Sequence, residues 1–279
     1  MAITSFKNKV AVITGAGSGM GRALAALLSK NGCHLAVCDT DNEALMETRR
    51  LVSTDVNLSS SVIDVSKLEQ VEAFVDQVIS EHGQVNVLFN NAGVSVTGMA
   101  EHMPLEDFQW LMNINFWGVI YGCRAFLPHL RQVNEAAIVN TSSIFGTIAV
   151  PTQSAYNASK FAVRGYTYSL RQELSNSNIG VSCVQPGGVK TQIVSRSRYI
   201  PSDNESPTKE DMAINFEVAA RLSSADAAQI ILDGVLQNKA QILVGKDAKY
   251  LSWLERLAPL GYMGLINRGF RKAAKRDQN

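Results

Sequence analysis

Tyr156-Asn-Ala-Ser-Lys160 sets a phenol and an ammonium four residues apart. On a helix, residues i and i+4 share a face, so both heads can reach one spot. An ammonium a few Å from a phenol stabilises the phenolate and lowers its pKa. A tyrosine shifted in that way can take a proton or give one. By itself the pair is equally an exposed Tyr/Lys couple on a helix. A second group of residues points to a ligand. Thr14-Gly-Ala-Gly-Ser-Gly-Met-Gly21 is rich in glycine, which lets a backbone turn tightly and approach a pyrophosphate. A helix opening there would add free N–H groups and a partial positive charge. Asp39 follows Gly19 by 20 residues. A carboxylate at that point can accept from both ribose hydroxyls and repels a 2′-phosphate, which favours NAD over NADP. The alternative for Asp39 is a loop residue at the start of a helix. Arg22 could contact a phosphate, but no basic residue replaces Asp39.

These residues need elements to position them. Val10–Thr14 reads as a buried strand, and 20–31 as the helix that opens on the glycines. Further strands are expected at 35–38, ending at 63, at 85–89, at 137–140, at 181–184 and at 241–244. Helical patterns fall between them at 42–52, 67–82, 104–130, 154–176 and 225–236. In 67–82 the stripe is Leu68, Val71, Phe74, Val75 and Val78. Continuous apolar strands separated by helices make a parallel sheet covered on both faces. Right-handed crossovers then give an α/β fold, a Rossmann-type doubly wound sheet of seven parallel strands. No linker divides residues 1–245, which read as one domain. The irregular stretch from 192 to about 220 reads as a lid.

With those placements the chain resembles the short-chain dehydrogenase/reductase family over roughly residues 6–245. The cradle matches T-G-x-x-x-G-x-G. Asp64-Val65 matches an adenine-contacting Asp, Asn90-Asn-Ala-Gly93 an N-N-A-G turn, and Asn115 a mid-helix Asn. Ser143 lies 13 residues before Tyr156, and Pro186-Gly-Gly-Val-Lys-Thr191 matches P-G-x-x-x-T. The resemblance implies that Tyr156 exchanges the proton of a secondary alcohol or its ketone. Ser143 would orient the same oxygen, and Lys160 would tune Tyr156 and hold the nicotinamide ribose. Asn115 would bind a relay water. It places NAD against Gly15, Ser18, Gly19, Met20, Gly21, Asp39, Asp64, Val65, Asn91, Ala92, Gly93, Pro186, Gly187, Val189 and Thr191. It also implies an oligomer, dimer or tetramer, through the helices 104–130 and 154–176. Two other readings stay open: an NADPH-dependent ketoreductase of the 3-oxoacyl thioester type, and a non-catalytic NAD-sensing protein on the same fold.

Val94, Ser95, Ile144, Phe145, Gln153, Gln192 and Ile193 follow the catalytic motifs and are the candidate substrate wall. They are apolar or neutral, so a fairly hydrophobic secondary alcohol or ketone is expected. Arg196 and Arg198 in the lid could recruit an acidic substrate or simply be solvated.

The 279 residues carry 26 Lys+Arg against 25 Asp+Glu, a formal net charge of +1. That balance argues against nucleic-acid binding, which needs a basic surface. No apolar stretch long enough to span a bilayer and no N-terminal secretory signal is read, so the expected location is the cytoplasm. Cys33, Cys38, Cys123 and Cys183 are scattered and read as small buried hydrophobes rather than metal ligands or disulfides. The neutral total hides an asymmetry, because residues 256–279 hold six basic residues and one acidic. With the stripe Tyr250, Leu251, Trp253, Leu254 and Leu257, residues 246–279 read as a basic amphipathic extension. It would dock on the protein or its oligomer, with peripheral membrane contact as the other reading.

Overall fold

The computed structural model describes residues 3–201, 214 and 220–264. The middle of the expected lid, 202–213 and 215–219, and the basic run of the extension, 265–279, lie outside the described residues.

Seven parallel strands form the main sheet in the order β3-β2-β1-β4-β6-β7-β9. They are β1 (Val10–Thr14), β2 (His34–Asp39), β3 (Leu58–Val62), β4 (Val87–Asn90), β6 (Ala136–Thr141), β7 (Ile179–Pro186) and β9 (Gln241–Val244). The chain winds outward from β1 to β3, then returns to β4 on the other side of β1. The direction of winding therefore reverses between β1 and β4, and the strand ends part there to leave a crevice.

Side chains alternate across each strand and divide the core in two. Ala11, Ile13, Leu35, Val37, Val87 and Phe89 face α1 (Gly19–Lys30) and α7 (Ser224–Leu236), which pack on each other. Val12, Ala36, Leu88 and Ile138 face α3 (Leu68–His82), α5 (Gly118–Leu130) and α6 (Ser154–Glu173). The Phe74 and Phe126 rings meet edge to face at 6.1 Å, an arrangement typically worth about 0.5–1.5 kcal/mol beyond the area it buries. All four cysteines are buried and free among these residues. Burial pushes the Cys33, Cys123 and Cys183 thiols up to about 12 and the Cys38 thiol higher still, so they behave as small hydrophobes.

Two local features differ from the pattern read in the sequence. The helix expected over 104–130 is not continuous. It runs as α4 (Leu105–Met112), a π turn (Asn113–Trp117) and α5. At its centre the fully buried Asn115 side chain accepts from Val94 N at 2.8 Å and donates to Val94 O at 2.9 Å and Ser159 Oγ at 3.1 Å. Periodicity is blind to this because one widened turn shifts the apolar stripe only slightly. The second feature is a short parallel pair, β5 (Val96–Thr97) with β8 (Arg198–Tyr199). Two-residue strands carry no readable period.

The stripe expected on the C-terminal helix divides. On α8 (Lys246–Leu257), Leu251 and Leu254 pack against Ile144, Ile148 and Tyr262. Tyr250, Trp253 and Leu257 face outward at 58%, 58% and 63% exposure. No described helix is long and apolar enough to cross a membrane.

Candidate active site

The crevice begins at the loop after β1. Gly15 adopts φ +64°, and a Cβ on it would lie 2.7 Å from Ala92 Cα. Only a glycine lets the β1 and β4 loops come that close. Thr14 Oγ1 fastens them by accepting from Asn91 N and Ala92 N, both at 3.0 Å. The Asn91 amide returns the link by donating to Thr14 O at 3.0 Å and Gly15 O at 3.2 Å. Its neighbour Asn90 points the other way, to Asn140 Oδ1 at 2.9 Å within a buried polar chain that ends on Thr167.

Some helix starts in the fold are capped by side chains. Asp41 accepts from Ala44 N at 3.0 Å, and Ser223 from Asp226 N at 3.0 Å. The start of α1, which opens on the crevice, has no such cap. Ser18 makes no side-chain cap hydrogen bond, and the first turn holds no acidic residue. Its first N–H groups and the positive end of the helix dipole are left for an anion. A phosphate-bearing ligand fits this end of the crevice.

At the other end, Asp39 Oδ2 accepts from Gly17 N at 2.8 Å and Oδ1 from Asp41 N at 3.2 Å. The carboxylate is thereby held facing the crevice, with a lone pair of each oxygen free, and no described cation pairs with it. Arg22 does not reach the crevice. It is tied to Glu47 at 2.7 Å, to Thr48 Oγ1 at 3.1 Å and to Gly17 O, and so locks the glycine loop to α2 (Asn42–Arg49).

The proton-handling residues cluster behind Gly93 at the inner end, and like Phe145 and Gln153 they adjoin the crevice without lining it. Ser143, 7% exposed at the end of β6, hydrogen-bonds the Tyr156 phenol. Phe145 meets the Tyr156 ring edge to face at 6.3 Å. Lys160 Nζ, one turn further along α6, lies 5.6 Å from the centre of the Tyr156 ring. A Cβ on Gly93 would lie 3.3 Å from both Lys160 Nζ and Asn115 Oδ1, so the bare glycine lets those groups close on the β4 loop. Sequence separation of 67 residues between Gly93 and Lys160 thus ends in one cluster.

The titration of that cluster corrects the expectation of a lowered tyrosine. Burial pushes Tyr156 up to about 12, and the Ser143 hydrogen bond only partly opposes it. Lys160 Nζ donates to Thr141 O at 3.0 Å. Burial pulls Lys160 down to about 8, with Cys183 opposing slightly. Burial of the phenol thus works against the phenolate.

The model of the short chain dehydrogenase family matches residues 9–199. The chain belongs to the short-chain dehydrogenase/reductase family. SadH of Mycobacterium tuberculosis, provisionally named an oxidoreductase, is 40% identical over 274 residues, spanning 97% of this chain and 98% of the relative. A 3-ketodihydrosphingosine reductase from Bacteroides thetaiotaomicron is 39% identical over 184 residues, 66% of this chain and 65% of that protein. Among solved structures, a short-chain dehydrogenase/reductase from Burkholderia phymatum in complex with NAD superposes with a TM-score of 0.81 at 34% identity. It covers 91% of this chain and 95% of that one.

Within this family member the expected cofactor residues fall into two groups. Gly15, Ser18, Gly19, Met20, Asp39, Asp64, Val65, Asn91, Ala92, Gly93 and Thr191 line the crevice, as do Val94, Ser95, Gln192 and Ile193. Gly21, Pro186, Gly187 and Val189 stand behind the wall. A Cβ on Gly21 would come 2.1 Å from Gly15 O, so its bareness serves the packing of α1 on the loop. Pro186 is the buried end of β7, and Val189 packs into the core. Gly187 abuts the Asp247 carboxylate, which also accepts from Gly188 N at 2.6 Å. Asp247 went unnoticed in the sequence because it lies beyond the last motif. Thr40, Ile63 and Ile114 also line the crevice without having been singled out. The first two were recoverable, since they adjoin Asp39 and Asp64.

Gln153 Nε2 donates to Thr97 Oγ1 at 2.8 Å, and Ser95 Oγ donates to Gln153 Oε1 at 3.5 Å. These neutral polar groups sit beside Tyr156 among Val94, Val96, Ala155 and Ile200. Arg198 does not face a substrate. Its guanidinium stacks 3.6 Å from the centre of the Trp110 ring and pairs with Asp107 at 2.5 Å. That latch holds the start of the lid to α4.

Proposed function

We propose that this protein is an NAD(H)-dependent dehydrogenase/reductase that interconverts a fairly hydrophobic secondary alcohol and its ketone. The observation that carries the reading is the cluster of Ser143, Tyr156 and Lys160 directly behind Gly93, beside a crevice whose outer end offers uncapped helix amides and Asp39. NAD is favoured over NADP because a 2′-phosphate would meet the Asp39 carboxylate, and Arg22, the nearby base, is already engaged. When bound, the nicotinamide cofactor supplies the hydride acceptor or donor and, oxidised, a positive charge.

The chain's own residues handle the oxygen and its proton. Ser143 Oγ and the Tyr156 hydroxyl hold the substrate oxygen between them. In the alcohol-to-ketone direction Tyr156 accepts the hydroxyl proton; in reverse it donates one. Its raised pKa keeps it protonated and ready to donate at neutral pH. Acting as a base requires added positive potential, which Lys160 supplies while protonated, below about pH 8. The Asn115 amide has both hydrogens bonded, to Val94 O and Ser159 Oγ. It therefore fixes the π turn and the β4 loop, and any relay water would rest on an acceptor there rather than on the amide hydrogens.

The substrate wall supports an apolar molecule with one neutral polar handle near Gln153 and Thr97. A ketone-reducing relative among the similar proteins agrees with that class. We further propose a homo-oligomer through α4, the π turn, α5 and α6, on which Trp117 and Phe161 are 42% and 41% exposed.

The test is a screen of secondary alcohols with NAD and with NADP, followed at the NADH absorbance. NAD turnover is expected to exceed NADP turnover. Tyr156→Phe should then lower kcat by about 10²–10⁴-fold while NADH fluorescence titrations stay within a factor of two or three. Retained turnover in that variant would remove Tyr156 from the mechanism.

A further inference from the structure

The crevice carries two carboxylates, Asp39 and Asp64, and a single cation among its described lining residues, Arg196. A dinucleotide brings two more negative charges in its diphosphate. The helix amides of α1 answer part of that charge, but they are dipoles and carry no net charge. Arg196 is well placed to answer the rest. Two grooves of the surface meet at the start of α1, and Ser18, Gly19, Thr191, Gln192 and Arg196 line both of them. The segment bearing Arg196 is pressed onto that point, because a Cβ on Gly19 would lie 3.1 Å from Thr191 Cγ2. One helical turn closes behind it, with Arg196 N donating to Gln192 O at 2.9 Å.

The other nearby arginines are engaged. Arg22 is bound to Glu47 and Arg198 to Asp107. The Arg196 side chain is exposed, and no described residue pairs with it. We propose that Arg196 is the counter-ion of the cofactor diphosphate, closing over it from the lid while the N-terminus of α1 holds it from below. This rests on the dinucleotide reading of the crevice and assigns a residue to it that none of the family motifs contains. A guanidinium offers paired donors to phosphate oxygens, which a solvated lysine at the rim would not match in geometry.

The test uses the full chain and reads binding, not turnover. NADH affinity is measured by fluorescence titration for the wild type, Arg196→Gln and Lys190→Gln. Lys190 is an exposed neighbour that lines the outer groove but not the crevice, so its loss gives the same change in charge. Arg196→Gln is expected to weaken NADH about tenfold at low salt, equivalent to about 1.4 kcal/mol, and to flatten the dependence of Kd on salt. Lys190→Gln should bind within a factor of two or three of wild type. ADP-ribose, which retains the diphosphate, should lose affinity in parallel, whereas the inhibition constant of adenosine, corrected for the NADH affinity, should be the same for both proteins. Wild-type affinity in Arg196→Gln, or equal weakening in Lys190→Gln, overturns the proposal. Absence of NADH binding by the wild type overturns the cofactor reading itself and takes this proposal with it.

Discussion

The outer and inner ends of the crevice are built by different means. The outer end, where a cofactor would lie, is made of main chain. Glycines bring loops together, amides point inward, and the side chains that matter mostly hold the loops in place, as Thr14 and Asn91 do. The inner end is made of side chains from distant elements: Ser143 after β6, Tyr156 and Lys160 on α6, Asn115 in the π turn and Gln153 before α6. A main-chain site tolerates changes of side chain but not of backbone clearance. A side-chain site tolerates neither cavities nor misplaced charges. The contrast predicts that one substitution will damage binding alone, another chemistry alone, and a third specificity alone.

The largest effect is expected at the outer end. Gly15→Ala must accommodate a Cβ 2.7 Å from Ala92 Cα at a φ of +64°. Strain of that kind typically costs about 1–3 kcal/mol at one residue. Parting the two loops also widens the outer end of the crevice, which would hold the cofactor. NADH binding should fall about a hundredfold or become unmeasurable, at about 1.4 kcal/mol per factor of ten. Chemical denaturation should still show a cooperative transition. Normal NADH affinity in this variant would mean that the loops part without cost, and the main-chain account of the outer end would fail.

At the inner end the sharpest change is Lys160→Met. An ammonium whose pKa is pulled from 10.5 to about 8 by burial destabilises the native state at neutral pH. At 1.36 kcal/mol per pKa unit the ceiling is about 3 kcal/mol. The lost hydrogen bond to Thr141 O takes back about 1 kcal/mol of that. The variant should therefore be inactive yet more stable, by about 1–2 kcal/mol at pH 7. The sign with pH follows from proton counting. Below pH 8 both folded and unfolded chains hold the proton, and the penalty is complete. Between about 8 and 10.5 only the unfolded chain holds it, so wild-type stability from this group rises with pH. The stability gap between variant and wild type should close over that window, in urea titrations at stepped pH. A gap that stays constant from pH 7 to 10.5 would mean Lys160 is not desolvated, and that the inner end is not the closed side-chain site described here.

The same contrast explains what could be read in advance. The outer end was legible because close approach demands glycine at fixed spacings, and the central strands were legible because burial on both faces leaves apolar runs, whereas the edge strand β3, Leu-Ser-Ser-Ser-Val, showed only its end. Ser143, Tyr156 and Lys160 were legible only as a spaced set, since no single one of them is rare. What stayed hidden depends on contacts between segments far apart in the chain. The π turn at Asn115 is fixed by Val94 and Ser159, and the latch of Arg198 needs both Asp107 and Trp110. The upward shift of Tyr156 escaped for the same reason, because burial of a phenol is set by the packing around it and not by the lysine four residues on. On α8, periodicity found the apolar residues but could not say which of two adjoining faces would meet the protein.

The smallest effect separates those two faces of α8. Leu254 packs towards Ile144 and Ile148, just after Ser143, whereas Leu257 points to solvent. Tyr262, the next anchor of this segment, accepts from Ala149 N through its hydroxyl at 2.9 Å. The helix thus braces residues 144–150, which continue from the catalytic serine towards the substrate wall. Leu254 is only partly buried, so Leu254→Ala should lose about 1–2 kcal/mol of stability, below the usual range for a fully buried leucine. It should raise the KM of the alcohol substrate a few-fold and leave NADH affinity unchanged, because nothing it touches lines the cofactor end. Leu257→Ala should move none of the three readouts. If Leu254→Ala weakens NADH binding as strongly as substrate binding, the two ends of the crevice are mechanically one, and the division between a main-chain site and a side-chain site does not extend to their supports.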